Sequence, residues 1–249
     1  MSKLRKIVMS LMVAVVVALG ALSLSGCHDL EYVHEDSYVL FWRKAQPALA
    51  YKRPDNLSTF TAYIKLMFWG REPEYAATYS SNEAKYEQLC AKYGDVHFKG
   101  TRKVLTEHPA YEYTSTDLSF SAMDITIDKE VTYSGTTYAA GESLAEVTQI
   151  TYTTLKRYID NGYKGLPDAD YSAITEVDDR MFLYGYEKVT KRVADLTTTD
   201  LQMVGPYARI SWISKAKVPS LYNMTLTLTD EYGVKHVCEL SVDPFNIEY

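Results

Sequence analysis

The chain has 249 residues, 47% of them hydrophobic, and its formal net charge at pH 7 is −6. This length is enough to bury a large core, and the acidic balance removes the electrostatic attraction that drives binding to nucleic acid. We therefore exclude nucleic acid as a partner. The 22 tyrosines, against 7 Phe and 3 Trp, indicate either cross-strand packing in a β protein or a surface that binds sugars or proteins.

Residues 1–26 have the order of a secretory signal, with a basic start, an uncharged apolar run over 7–24 and then small residues. The next residue is a cysteine, and Leu24-Ser25-Gly26-Cys27 resembles the lipobox of bacterial lipoproteins. In that family the cysteine thiol receives a diacylglyceryl group, cleavage occurs before the cysteine, and the new amino terminus is acylated, for example with palmitate. The resemblance implies a covalent lipid on Cys27 and a lipid anchor in the cell outer membrane, on a protein that is periplasmic or surface-exposed.

Two other interpretations of this segment stay open. The apolar run of about 18 residues is near the lower limit for an uncleaved membrane-spanning helix. Alternatively, Cys27 is an ordinary cysteine after an ordinary signal peptide. Cleavage before Cys27 removes three basic residues and no acidic ones, so the remaining chain has a net charge of −9.

After the signal peptide, residues 27–36 are short, polar and acidic, and they predict a tether. Four of its side chains are of metal-ligating types: His28, Glu31, His34 and Asp36. A flexible tether loses conformational entropy when it closes around an ion, which disfavours a metal site there. Residues 37–249 predict a β-rich globular domain, with a subdivision near residue 110 as an alternative.

Two β-prone segments, 38–42 and 57–69, precede the one segment with clear helical signals. Ser80 and Glu83 form a capping box and Gly94 follows as a stop, which predicts a helix near 81–93. Helical spacing places four apolar side chains on one face of it, and these are Tyr86, Leu89, Cys90 and Tyr93.

From residue 114 onward the patterns are those of strands. Residues 118–127 alternate with a change of register that predicts a bulge near Met123, and Ser134-Gly135 predicts a hairpin turn. Residues 222–242 predict a second hairpin with its turn at Asp230-Glu231-Tyr232-Gly233. The whole pattern predicts a mostly β fold, namely a β-sandwich of immunoglobulin-like or fimbrillin-like type, with one inserted helix near 81–93.

If Cys27 is lipidated, Cys90 and Cys238 remain, an even number in a compartment that permits disulfides. Both are predicted to point inward, from the helix and from the last strand. They form either a disulfide that ties the helix to the strand, or two unrelated buried cysteines that behave as small hydrophobic residues.

Motifs that carry catalysis are scarce. The chain has no G-x-S-x-G, H-E-x-x-H, P-loop or G-x-G-x-x-G motif, so we assign no catalytic residue and expect no enzyme. Asp168, Asp170 and Asp179 stand at positions 1, 3 and 12 of a segment similar to an EF-hand calcium loop. Position 6, where the sharp turn of that loop needs glycine, is Ala173. We therefore expect a solvated acidic loop there and no cofactor, with Ca²⁺ as the alternative.

Two segments look like those of cell-envelope lipoproteins of the Bacteroidetes. Residues 27–42 are similar to the start of fimbrillin-like lipoproteins, and residues 125–147 contain a tyrosine followed by Ala140-Gly141 and Leu144, a turn found between strands in uncharacterised members. The resemblance implies a β-rich envelope protein and carries over no catalytic residue.

The predicted function is non-enzymatic binding of a glycan or of another envelope protein by a tyrosine-rich sheet face. The candidate ligand-facing aromatic residues are Trp42, Trp69, Tyr133 and Tyr138. A structural subunit or assembly factor of a surface appendage is the first alternative, and a hydrolase with dispersed catalytic residues is the second.

Overall fold

The computed structural model describes residues 30–52, 63–69, 75–76, 83–105, 113–164, 187–214, 216–217 and 221–242. These residues form sixteen strands, two α-helices and one 3₁₀ turn. The strands are β1 Leu30–Glu35, β2 Phe41–Arg43, β3 Ala45–Lys52, β4 Tyr63–Trp69, β5 Tyr75–Ala76, β6 Gly100–Leu105, β7 Thr114–Thr116, β8 Phe120–Ile127, β9 Val131–Tyr133, β10 Thr136–Tyr138, β11 Thr148–Thr154, β12 Glu187–Arg192, β13 Val204–Trp212, β14 Ala216–Lys217, β15 Tyr222–Asp230 and β16 Lys235–Val242. The helices are α1 Glu83–Tyr93 and α2 Lys156–Asp160, and the 3₁₀ turn is Val193–Asp195.

The two sheets that build the core are both antiparallel. One has five strands in the order β12-β11-β13-β4-β3, and the other has three in the order β16-β15-β8. Their inward side chains alternate with outward ones, as a half-buried strand requires. In β15, for example, Met224, Leu226 and Leu228 are buried while the threonines between them are only partly covered.

These two sheets share one hydrophobic core, so they pack as a sandwich. The core joins Ile64, Leu66 and Phe68 of β4 to residues of β8, β11, β13, β15 and β16. Phe68 stacks on Phe120 of the other sheet, with ring centroids 5.7 Å apart. The prediction of a mostly β fold is confirmed.

The bulge in β8 lies two residues before the predicted place. The register against β15 shifts between Ala122 and Phe120, so Ser121 is the extra residue. As a result Phe120 and Met123 both point inward, and Ala122 is exposed although the sequence places it on the inner face.

Smaller sheets complete the described residues. β9 and β10 form the hairpin predicted at Ser134-Gly135, where both residues have positive φ angles of 51° and 87°. Such angles are those of a two-residue turn that matches the twist of a hairpin. β14 pairs with β9, and β2 lies between β5 and β7, with the β2–β7 pair parallel.

Helix α1 agrees with its prediction in position and orientation. Its buried side chains are Tyr86, Leu89, Cys90 and Tyr93. Gly94 follows with φ at 77°, and the Asp95 N–H returns to the Cys90 carbonyl at 2.8 Å. This is the glycine-dependent ending that stops a helix. Ser80 of the predicted capping box lies outside the described residues.

The segment expected to be a tether differs from that expectation, because Leu30–Glu35 is a strand that pairs with β6. Tyr32 and Val33 are of types that favour strands. By contact density the chain divides into a small unit, residues 1–33 with 101–109, and a large one, residues 34–100 with 110–249. Everything described below belongs to the large unit.

Candidate binding site

Most of the described tyrosines pack in the interior, and one does not. Among the twelve whose side chains the structure describes, six are buried, five are half-buried and only Tyr232 is exposed, with 71% of its surface accessible. Packing thus accounts for eleven of the twelve described tyrosines, and the exposed one marks the candidate site.

The aromatic residues proposed from the sequence are placed differently. Trp42 is fully buried, stacks on Tyr93 with centroids 5.1 Å apart, and donates its indole N–H to the Cys90 sulfur. It therefore cannot face a ligand, and that prediction is wrong. Tyr133 and Tyr138 are half-buried against the hydrophobic core. Trp69 belongs to β4, but its side chain lies outside the described residues.

The two cysteines are buried, as predicted, but as free thiols. Cys90 accepts the hydrogen bond from Trp42, whereas Cys238 donates to the Pro47 carbonyl at 3.1 Å. Each thiol thus faces its own neighbour, and the disulfide between them is not formed. Burial raises the pKa of both thiols, so neither is an activated nucleophile.

The predicted lipid-attachment and calcium residues lie outside the described part of the chain, so their roles stay predictions. They are Cys27, Asp168, Asp170 and Asp179. Within the described part of the chain, no group of three or more His, Cys, Asp or Glu side chains could hold a metal ion. In the same part, no helix has the length and apolar character needed to cross a membrane.

Tyr232 stands in the turn of the β15–β16 hairpin. The turn closes with hydrogen bonds from the Asp230 N–H to the Val234 carbonyl at 2.9 Å and from the Gly233 N–H to the Asp230 carbonyl at 3.0 Å. Gly233 has φ at 82°, in the left-handed region that glycine occupies without steric cost.

A buried carboxylate fixes the shape of this turn. Asp230 is 4% exposed, and its Oδ1 accepts the backbone N–H groups of Tyr232 and Val234, each at 2.9 Å. Its Oδ2 lies 2.9 Å from Nε2 of His236. Burial acts to raise the pKa of Asp230, but the hydrogen bonds from His236, Val234 and Tyr232 outweigh it and lower that pKa. The turn therefore holds a charged anchor, and Tyr232 projects from a fixed backbone.

An ion pair ties the tip of the hairpin to helix α1. Glu231 accepts a hydrogen bond from Lys92 at 2.5 Å and another from the Ser119 N–H at 3.2 Å, both on Oε1. The Lys92 Nζ also lies over two rings, 4.7 Å from the centroid of Tyr93 and 5.7 Å from that of Tyr232. Burial acts to lower the pKa of Lys92, but the contacts with Glu231 and Tyr93 together outweigh it and raise that pKa.

We call Lys92, Glu231, Tyr232 and Val234 the hairpin tip. Val234 is 56% exposed, and the side chains of Lys92 and Glu231 are 30% and 25% exposed. The tip thus combines an accessible aromatic ring and an exposed aliphatic group on one turn with an ion pair that joins this turn to helix α1. Such a combination suits non-covalent binding, because little conformational freedom is lost when a partner is bound.

The other concentration of tyrosines is internal. Tyr38 contacts four aromatic rings at centroid distances from 4.7 to 6.4 Å, and these belong to Phe98, Tyr113, Tyr158 and Tyr163. Beside it the fully buried Asp95 accepts the N–H groups of Tyr38 and Val39 at 2.7 Å and the Tyr163 hydroxyl at 3.0 Å. This cluster joins four segments, namely residues 38–39, the residues after α1, Tyr113 before β7, and α2 with the residues after it, and it has a structural role.

Comparison of the chain with models of protein families, with curated proteins and with solved structures finds no match.

Proposed function

We propose that this chain is a lipid-anchored, non-enzymatic protein of the cell outer membrane that binds an envelope component, a glycan or a protein, through the hairpin tip. The observation that carries the proposal is the exposure of Tyr232, in a chain whose other described tyrosines are buried or half-buried. A large aromatic ring gains free energy when a partner removes it from water, so an exposed ring on a fixed turn is typical of binding surfaces.

The rigidity of the turn supports the same function. Tyrosine offers a large contact area with few rotatable bonds, and the Asp230 carboxylate fixes the backbone that carries it. The raised pKa values of the Cys90 and Cys238 thiols argue against nucleophilic chemistry at these residues.

An appendage subunit that assembles by strand exchange finds less support. On the outer side of β8, the N–H groups of Gly141 and Leu144 already bond the Ile127 and Ile125 carbonyls at 2.7 and 2.8 Å. β12 is the outer strand of its sheet among the described residues, and it carries Lys188, Lys191 and Arg192. Charged residues on an outer strand disfavour pairing with a further strand.

The binding function is tested by sedimentation of the full-length chain with isolated cell envelopes, in a Cys27→Ser background so that the proposed lipid does not hold the protein on the membrane. Replacing Tyr232→Ala should weaken envelope binding at least about tenfold, the effect of removing an aromatic hot spot. Val237→Ala is the matched control, because Val237 is also exposed on this hairpin, at 58%, but points from the middle of β16. Equal envelope binding by wild type and Tyr232→Ala would refute the proposed contact.

The anchor is tested separately in a host that lipidates proteins. Wild type should incorporate a palmitate analogue and Cys27→Ser should not, since the thiol is the proposed acceptor of the lipid. Two or three acyl chains anchor a protein firmly because each buried methylene contributes about 0.8 kcal/mol. Equal labelling of both proteins contradicts the lipidation of Cys27.

A further inference from the structure

We infer that the hairpin tip binds a neutral saccharide, with the Tyr232 ring under the face of one pyranose and the Lys92–Glu231 pair on two adjacent hydroxyls. This inference rests on the proposed function and names the chemical class of its ligand.

The ring supplies the apolar part of the contact. A pyranose has one or two faces of C–H groups, and these stack on an aromatic face, whose electron density attracts their weakly positive hydrogens. The exposed fraction of Tyr232, 71%, leaves room for such a stack. Because Asp230 holds the Tyr232 N–H, the position of the ring's backbone is set before the sugar arrives.

The ion pair supplies one acceptor and one donor side by side. Both hydrogen bonds that described residues make to Glu231 end on Oε1, which leaves Oε2 to accept from a hydroxyl. Lys92 has three N–H donors and gives one of them to Glu231. One hydroxyl of a vicinal diol can donate to Oε2 while its neighbour accepts from the ammonium group. Nζ lies over the Tyr232 ring at 5.7 Å from its centroid, so a hydroxyl of a sugar stacked beside it on the same ring face is within reach of the ammonium group.

The charges favour an uncharged sugar over an acidic one. Lys92 and Glu231 sum to zero, so the pair gives an ionised sugar no net attraction, and the net charge of the chain, −6, repels polyanions. A neutral sugar meets no such repulsion, and its binding should depend little on salt. At one exposed ring the affinity for a monosaccharide is weak, about millimolar for a ligand of this size. Many copies of the protein on one membrane give the avidity that single sites lack.

The test uses the full-length chain in detergent on four immobilised polysaccharides, with mannan and laminarin as neutral probes and heparin and polygalacturonate as acidic ones. We expect retention on at least one neutral probe and on neither acidic probe, and the same retention in roughly 1 M NaCl, where charges are screened beyond about 3 Å. Tyr232→Ala should abolish retention, and Lys92→Ala and Glu231→Ala should each reduce it about tenfold. Lys235→Ala is the control, because Lys235 is an exposed lysine of the same hairpin.

Each other outcome has a defined meaning. Retention on the acidic probes that salt abolishes, retention on no probe, or full retention of both Lys92→Ala and Glu231→Ala overturns the inference. Because Glu231→Ala removes a side chain of the turn itself, Lys92→Ala serves as a second, independent variant. Near-ultraviolet circular dichroism shows whether each variant keeps the native fold. If Tyr232→Ala loses envelope binding but no neutral polysaccharide is retained, the ligand class is wrong and the proposed function stands. If Tyr232→Ala binds envelopes as wild type does, the proposed function itself fails.

Discussion

At the scale of single residues, two buried carboxylates organise the loops of this protein in the same way. Each accepts two backbone N–H groups and a third hydrogen bond from a side chain; the N–H groups come from residues 38–39 for Asp95 and from its own turn for Asp230. Charge-assisted hydrogen bonds of this kind are stronger than neutral ones. One carboxylate holds residues 38–39 against the end of helix α1, and the other shapes the turn that carries Tyr232.

Replacing Asp95→Asn should lower the free energy of unfolding by about 2–3 kcal/mol, because hydrogen bonds to a buried charge are lost and an amide N–H₂ group faces backbone donors. Urea denaturation measures the change. Asp36→Asn is the matched control: Asp36 is exposed in the adjoining segment, so its replacement should change stability by less than about 0.5 kcal/mol. An unchanged urea midpoint for Asp95→Asn contradicts the role of Asp95.

The Asp230 anchor makes a pH-dependent contribution to stability. Its pKa is lowered in the folded protein, so the ionised form is stabilised by folding. The contribution is complete above the unfolded pKa of about 4 and is lost as the pH falls through the lower folded value. The stability difference between wild type and Asp230→Asn should therefore be constant near neutral pH and should shrink in acid. A difference that grows as the pH falls below about 4 would contradict this assignment.

At the scale of elements, the sequence predicts correctly the helix and the hairpins that depend on residues close together in the chain. The buried face of helix α1, its end at Gly94, and the two hairpins follow from spacing and turn chemistry within about twenty residues. Contacts between distant segments could not be predicted. Trp42 is a candidate ligand-facing residue in the sequence because a flat aromatic ring can stack on a sugar, but it is buried against Cys90 of helix α1, 48 residues further along the chain. The Lys92–Glu231 pair joins residues 139 apart in the chain. The sequence therefore predicts the turn at Tyr232 but not that Lys92 of helix α1 lies beside it.

The packing of α1 and β16 predicts the behaviour of the thiols. In the full-length chain with Cys27→Ser, a thiol reagent should react slowly with Cys90 and Cys238 in native protein, because burial keeps both protonated and covered. In denaturant without reductant it should titrate both. Protein made in the periplasm that shows no free thiol after denaturation, and a peptide linking Cys90 to Cys238, would contradict the structure.

At the scale of the molecule, the described large unit is a sandwich whose core is filled from both sheets, and its hairpin tip extends beyond the end of β15. Tyrosine serves two purposes in it. The buried and half-buried rings, such as Tyr152 and Tyr133, pack against the core, while Tyr232 leaves its flat face to solvent. A rigid sandwich suits this display, since a site supported by packed strands keeps its geometry when a partner binds.

The most direct test of the proposed contact is hydroxyl-radical footprinting of the full-length chain, free and bound to isolated envelopes. Exposed side chains are oxidised, and those covered by a partner are protected. We predict that oxidation of Tyr232 and Val234 falls on binding, while that of Ile213 and Leu221, which are 42% and 57% exposed elsewhere on the surface, is unchanged. Protection of Ile213 or Leu221, with Tyr232 oxidised as fast as in free protein, would contradict the account.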